Sequence, residues 1–353
     1  MKVDNKILVI TGGMSNEKEL SLISGEDVAR ALIDEGQKIE VLEITDEKKM
    51  VLYRDPLLFI ERKKNICNNE RIIFFDNLDL ASLREYNFGV AFLALDGTFG
   101  EDGHVQALLD LADFAYTGSG IMASSIGMDK SKSYEYVSCR GINVPEYFIV
   151  HRHDYNLNES IIKIKKSFGF PCVVKSNDSR SSIGVTAPRN DSELQKSLME
   201  AFKYSAVAIV QKFIKGREFA CGVLGNANYA KLEILPVAES VIKNFAIFTN
   251  HQKYYAKDTE EICPAKIEIT LEKQIMKNAE LVHLILGCDG LSRSDFRYDE
   301  SDKKVYFLEV NTSPGHTKNS ICPQEGRAIG MSFGAFILKQ IDLALIKKRL
   351  QRI

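Results

Sequence analysis

Long apolar runs, C-x-x-C cysteines and an excess of either charge are all missing from this 353-residue chain. Each absence removes a class of function. No apolar run approaches the roughly 18 residues that a membrane-spanning helix needs. The opening residues Met1–Lys6 carry neither an apolar signal core nor a cleavage site. The expectation is a cytoplasmic protein with no membrane partner. The formal net charge is -2, so no global field recruits nucleic acid or an anionic membrane, and anionic ligands must be held by local Lys and Arg clusters. The cysteines (67, 139, 172, 221, 263, 288 and 322) are odd in number and dispersed, which fits reduced thiols and argues against a zinc site. No two histidines stand at metal-ligand spacing and no G-x-S-x-G occurs. All of them, His316 included, are read as non-catalytic. Internal repeats and low-complexity tracts are absent as well.

The chain is long enough for two or three domains. Lys6–Ile10 is a short apolar run broken by Gly12 and Gly13. A helical stretch follows, with Leu20, Ile23, Val28, Ala31 and Leu32 near the 3.6 period, ending at Gly36. Ile39–Ile44 reads as a strand, and Val90–Leu95 is apolar enough for a central parallel strand. This strand–helix–strand order predicts a doubly wound α/β domain. The polar segment Glu61–Glu70 reads as a surface excursion. Past Thr117 the texture changes: Gly118-Ser119-Gly120 reads as a linker, then come shorter strands at 147–150, 172–175 and 208–210. A helix over Leu271–Leu286, a strand over Val305–Val310 and a C-terminal helix ending in basic residues complete the chain. Breaks near 118 and 211 give three domains: 1–118, 119–211 and 212–353.

Four groups of residues carry potential chemistry. Glu309 and Asn311 are two apart on a predicted strand and project from one face. Asp295 lies on an earlier strand, which the turn Asp299–Asp302 brings alongside as a hairpin. Two carboxylates and an amide carbonyl make an oxygen-only patch suited to magnesium; a solvated sheet face accounts for the same residues. The loop Asn311–Gly315 favours the first reading, because free backbone N–H groups beside a metal bind anionic oxygen. Lys175 ends an apolar strand and is followed by Ser181-Ser182-Ile183-Gly184, a phosphate-cradling arrangement outside the Walker pattern. Lys130 is a second candidate, and triphosphate needs both metal and ammonium neutralisation. In Ile209–Phe219 an apolar strand runs into a polar turn that offers backbone to adenine and Glu218 to ribose; an interdomain strand with a surface turn fits equally. Gly12–Glu19 lacks the G-x-G-x-x-G order of dinucleotide binders. Glu17 there either favours a helix dipole or receives a substrate ammonium.

Several segments in register make the chain resemble the D-alanine–D-alanine ligase family of the ATP-grasp superfamily, along nearly its full length. They are GGMSNEKELSLISG (12–25), DGTFGEDGHVQALL (96–109), YTGSGIMASSIGMDK (116–130), FPCVVKSNDSRSSIGV (170–185), KYYAKDT (253–259), SRSDF (292–296) and FLEVNTSPGHTKNS (307–320). The resemblance implies an α/β (α+β overall) ATP-grasp fold with an N-terminal Rossmann-like substrate domain, a central ATP-grasp subdomain and a C-terminal catalytic domain. It implies that Lys130, Lys175 and Ser182 meet ATP phosphates, that Gln211, Lys212 and Ile214 lie at the adenine, and that Glu218 meets the ribose. Asp295, Glu309 and Asn311 would hold two magnesium ions, with manganese as a substitute. Glu17 would bind the first ammonium group in a set with Ser181 and Tyr254, with Lys253 near the γ-phosphate. Arg293 and the Gly315 N–H would stabilise the tetrahedral intermediate, and Ser320 would hold the second carboxylate. The implied reaction joins two D-alanines through an acyl-phosphate for peptidoglycan precursors, in a homodimer.

Three positions depart from the family pattern. Arg180 stands where a Gly precedes the Ser-Ser pair, Asp96 stands where a His precedes Gly97, and Gln211 replaces a Glu. Asp96 falls near the first substrate, so selectivity for the first amino acid turns on it. A ligase with a different amino-acid or hydroxy-acid pair is the alternative, and Tyr254 resembles the dipeptide-forming type. A non-catalytic ATP-binding protein would have eroded metal ligands or lost Arg293, and all are present.

Overall fold

The computed structural model describes residues 6–62, 71–180, 184–229, 231–242 and 259–351. Ser181, Ser182, Lys253 and Tyr254, and most of the polar segment 61–70, lie outside the described residues.

The apolar run at the start forms β1 (Lys6–Gly12), fully buried from Ile7 onward. It pairs in parallel with β2 (Ile39–Ile44) on one side and β5 (Phe88–Ala94) on the other. Two antiparallel strands, β3 (Met50–Tyr53) and β4 (Ile72–Phe75), extend the sheet beyond β2. The sheet is therefore mixed, with its parallel part carrying helix Lys18–Asp34. That helix presses small residues against β1: a Cβ on Gly25 would collide with Thr11 Oγ1. Close approach through Ser21, Ser24 and Gly25 rotates the buried face, so Ile23, expected inward, is 46% exposed. Helix Phe333–Gln351 returns from the far end of the chain to cover the same face through Phe336, Ile337 and Ile341.

A three-stranded antiparallel sheet is made of β6 (Tyr147–His151), β7 (Cys172–Ser176) and β8 (Val207–Lys212) in the order β6-β8-β7. Helices Leu157–Ser167 and Asp191–Ala201 cover it, each capped by an asparagine (Asn156 and Asn190) that accepts from first-turn N–H groups.

The last sheet is antiparallel, in the order β12-β11-β9-β13-β14, from β9 (Arg217–Leu224), β11 (Ala238–Ile242), β12 (Thr259–Ile262), β13 (Leu291–Asp299) and β14 (Lys304–Asn311). The short β10 (Glu233–Ile234) joins β9. One face buries Phe219, Phe296 and Phe307 against helices Lys130–Ser138 and Ile269–Leu286. Phe296 and Phe307 meet edge-on with ring centroids 6.0 Å apart, and each such buried ring contributes about 2–3 kcal/mol. The other face carries Glu218, Arg293, Asp295 and Arg297. Gly118-Ser119-Gly120 is packed at the junction with this sheet: Ser119 Oγ accepts from Asp289 N at 3.2 Å and Lys347 Nζ donates to Gly118 O at 2.8 Å.

Candidate active site

A one-residue irregularity in β14 decides what the last sheet presents. Asp295 pairs with Glu309, yet the next residue, Phe296, pairs with Phe307, so Leu308 is the extra residue of a β-bulge. Strict alternation from the core residues Val305 and Phe307 would turn Glu309 and Asn311 inward. The bulge turns them to the face of Arg293 and Asp295 instead. On that face Asp295 accepts from Arg293 Nε (2.7 Å) and Nη2 (2.8 Å) and from Asn311 Nδ2 (3.3 Å). Burial disfavours charge on Arg293, but Asp295 outweighs it and holds the guanidinium firmly charged. Opposite Arg293 and Asp295, β9 places Gly222 and Ala220, which leaves room above the strand.

The bulge also gives the Leu308 carbonyl a second use. It accepts from Lys175 Nζ at 3.2 Å and lies 3.0 Å from the Tyr134 hydroxyl. Lys175 Nζ is 3.0 Å from that hydroxyl too, and Gln211 Oε1 is 3.0 Å from it on another side. Lys130 donates to Ser179 O and stands 3.4 Å from Glu309. Both lysines, Gln211 and Glu309 are thus gathered into one buried cluster. Burial lowers both ammonium groups to about 8, with Glu309 opposing the shift. Glu218 pairs with Arg297 Nη2 at 3.2 Å. Ile214 is buried and its carbonyl accepts from Arg297 Nη1 at 3.5 Å, whereas Lys212 is exposed.

In front of the metal-type patch lies a cavity of about 300 Å³, lined by Glu17, Asp96, Arg180, Glu218, Arg293, Asp295, Asn311, Gly315 and Ser320 among others. Chain segments some three hundred residues apart, from Glu17 to Ser320, supply it. A Cβ on Gly315 would sit 3.2 Å from Ser320 Oγ and 3.9 Å from Asp96 Oδ1, so those two side chains flank the glycine. Gly97, at φ +80°, leaves space for the Glu17 carboxylate, which a Cβ there would meet at 2.7 Å. Glu101 accepts from Gly97 N at 2.8 Å. Burial first, then Glu101 and Glu17, pushes the Asp96 carboxyl well above its ordinary range, and burial pushes Glu101 up to about 7 against Arg180. His316 is buried, stands 3.0 Å from Gln340 and is pushed down to about 4 by burial.

The chemistry of this arrangement is that of anions and hard cations. Among the described residues no three or more His, Cys, Asp or Glu side chains converge as a metal site. The donor set is two carboxylates and one amide, all oxygen, each touched by a protein cation: Arg293 at Asp295, Lys130 at Glu309, Arg180 at Asn311. Oxygen donors on one strand pair fit magnesium better than a softer ion. Sequence reasoning assigned no role to Tyr134, Arg297 or Glu101. Only Glu101 lay inside a quoted motif; the other two act through partners distant in the chain, Lys175 and Gln211 for Tyr134 and Glu218 for Arg297.

Residues 6–119 match the family described as D-ala D-ala ligase N-terminus, and residues 136–342 match D-ala D-ala ligase C-terminus. The D-alanine–D-alanine ligase of Desulfotalea psychrophila is 36% identical over 346 residues, 98% of this chain and 96% of that protein. That of Geobacter sulfurreducens is 34% identical over 90% of this chain and 87% of its own. Among solved structures, the VanG D-Ala:D-Ser ligase from Enterococcus faecalis superposes with a TM-score of 0.83 at 29% identity, covering 97% of this chain and 100% of that one. The D-alanine–D-alanine ligase from Coxiella burnetii gives the same TM-score at 24% identity over 99% and 96%, a likeness of fold. The chain belongs to the D-alanine–D-alanine ligase family and is an ATP-dependent ligase of that type.

Proposed function

We propose that the protein joins two D-alanine molecules through an acyl-phosphate, supplying D-alanyl-D-alanine for peptidoglycan precursors in the cytoplasm. The observation that carries this reading is the single cavity in which Glu17, Arg293, Asp295, Asn311, Gly315 and Ser320 converge. In this reading Lys130 and Lys175 meet the ATP phosphates, Gln211, Lys212 and Ile214 the adenine, and Glu218 the ribose. Gln211 Oε1 also faces the Tyr134 hydroxyl, so it holds the lysine cluster in register as well. Asp295, Glu309 and Asn311 would hold magnesium, which when bound neutralises phosphate charge; two ions is the proposed count.

Glu17 receives the ammonium of the first amino acid beside Asp96, and its carboxylate is directed at the phosphate transferred from ATP. The phosphate converts a poor electrophile into an activated acyl group. The second amine, neutral when it attacks, is positioned by Ser320 through its carboxylate. Arg293 and the Gly315 N–H meet the oxyanion that develops; one such donor is worth roughly 3–4 kcal/mol. Ser181, Tyr254 and Lys253 complete the proposed set from outside the described residues. The three-domain division at 118 and 211 and a homodimer are part of the same proposal, the latter checked by sedimentation.

The test is the purified protein with ATP, magnesium and a panel of D- and L-amino acids, following phosphate release and dipeptide by mass. D-alanyl-D-alanine is the expected dominant product. Turnover with only another pair, such as D-alanine with D-serine, would select a different ligase of the same family. ATP binding with no turnover for any pair would refute ligation.

A further inference from the structure

We propose that Arg180 is a phosphoryl-holding residue, whose Nε/Nη2 edge takes oxygens of the phosphate group passing from ATP to the first carboxylate. This rests on the ATP-dependent ligation proposed above. Arg180 is 4% exposed and lines the cavity. Its Nη1 is fixed, donating to Val310 O at 2.6 Å and standing 3.4 Å from Asn311 Oδ1. Its Nε and Nη2 have no hydrogen-bond partner among the described residues. Buried donors are almost always satisfied, and a buried guanidinium with an idle edge is costly to keep. That Nε/Nη2 edge is the fork that takes two oxygens of one carboxylate or phosphate.

Arg293 provides the internal comparison. Its own Nε and Nη2 are both filled by Asp295, at 2.7 and 2.8 Å. On Arg180 the same edge makes no hydrogen bond to the described residues. The nearest carboxylate, Glu101 Oε2, stops 3.8 Å from Nε because it is held at 2.8 Å by Gly97 N. Position selects the ligand. Arg180 is pinned on the carbonyl between Glu309 and Asn311, the proposed metal donors, and beyond it lie the acids Glu17, Asp96 and Glu101. It therefore stands where the phosphate end of the site meets the amino-acid end. In the transfer the bond from the γ-phosphorus to the ADP oxygen breaks, and that oxygen keeps the electron pair. A carboxylate oxygen of the first amino acid forms the new bond to phosphorus. Arg180 exchanges no proton; it holds the equatorial oxygens by charge-assisted hydrogen bonds.

The test compares two nucleotides with magnesium and no amino acid: ADP and the non-hydrolysable imidotriphosphate analogue of ATP, each titrated by calorimetry. Arg180→Gln should weaken the analogue by about 10-fold or more and ADP by less than about 2-fold, because only the analogue has the third phosphate. Arg180→Lys keeps the charge without the fork and should recover part of the loss, which also covers a misfolded Gln variant. Equal weakening of both nucleotides would mean a structural role and overturn the proposal. Unchanged nucleotide affinity with a raised KM for the first amino acid would also overturn it, assigning the edge to the substrate carboxylate. A different amino-acid pair in the turnover assay would leave these nucleotide affinities as expected, so the two readings fail separately.

Discussion

Replacing Asp295 with Asn changes one atom and separates the two duties this carboxylate is given. Its oxygens take three donors: Arg293 Nε at 2.7 Å, Arg293 Nη2 at 2.8 Å and Asn311 Nδ2 at 3.3 Å. An amide has one oxygen. If the new NH2 replaces Oδ1 it faces the Nε–H of Arg293; if it replaces Oδ2 it faces two donors. Either way at least one charge-assisted bond is lost, at about 1.5–3 kcal/mol, and Arg293 loses its counter-ion. Removing a partner from a buried pair altogether costs roughly 3–5 kcal/mol, so Asp295→Asn should destabilise the nucleotide-free protein by about 2–3 kcal/mol. Turnover should fall further than that. Loss of a magnesium donor and misplacement of Arg293 together remove transition-state stabilisation worth about 3 kcal/mol or more, at least about 100-fold in kcat. Phosphate release at saturating substrates measures the second effect, and magnesium titration identifies its cause: half-saturation should move to higher concentration. Turnover within about 3-fold of the parent at unchanged magnesium dependence would remove Asp295 from the metal set and refute the reasoning.

Three other outcomes follow from buried groups around the site. Glu325 is fully buried, accepts from Gly222 N at 3.0 Å, and is pushed by burial up to about 8, against Arg293. The unfolded chain therefore ionises it first as pH rises, so folding stability should fall between about pH 4.5 and 8, by an amount of order 5 kcal/mol; in Glu325→Gln, chemical denaturation across that range should show the fall flattened. Gly97→Ala puts a methyl group 2.7 Å from the Glu17 carboxylate at a φ of +80°, and should raise KM for the first amino acid about 10-fold or more while leaving ATP affinity near the parent's. Tyr134→Phe removes the hydroxyl that lies 3.0 Å from both Lys175 Nζ and Gln211 Oε1, and should cost about 1–3 kcal/mol and raise KM for ATP more than for either amino acid, by initial-rate kinetics.

Much of the site was legible because its chemistry constrains residue types at fixed spacing. Glu309 and Asn311 had to be two apart to share a face, and Asp295 had to sit across a hairpin; β13 and β14 pair as that requires. What could not be read was the bulge. Local pattern gives Val305 and Phe307 an inward face and by strict alternation sends Glu309 inward with them. Only the register with Asp295 reveals the extra residue. Tyr134 was equally silent, an ordinary amphipathic helix residue until Lys175, Gln211 and Leu308 arrive around its hydroxyl. The stretch Gly118–Gly120 looked like a linker from its composition, yet Ser119 is buried and the stretch is hydrogen-bonded to Asp289 and Lys347. Small residues serve close packing as well as chain freedom, and the difference lies in contacts far along the sequence.

The same distinction explains why ligation and substrate choice rest on different footing. The charged face of the last sheet is built by strand register: Arg293, Asp295, Glu309 and Asn311 are fixed by the pairing of β13 with β14, and moving any one by a residue would bury it in the core. The amino-acid end is built by loops from the first sheet, where Asp96 and Glu101 leave the end of β5 and turn through Gly97. Such a loop changes a side chain without disturbing a ladder. Three carboxylates meet there, Glu17, Asp96 and Glu101; burial first, then Glu101 and Glu17, raises the proton affinity of Asp96, and burial raises that of Glu101 against Arg180. Arg180 enters from the opposite sheet to face Glu101 at 3.8 Å. Two of the three departures named from the sequence, Asp96 and Arg180, thus lie on either side of one carboxylate, Glu101. Burial favours the protonated form of Asp96 and raises Glu101, so Arg180 supplies the charge beside Glu101, which suits the anionic phosphate proposed to pass there.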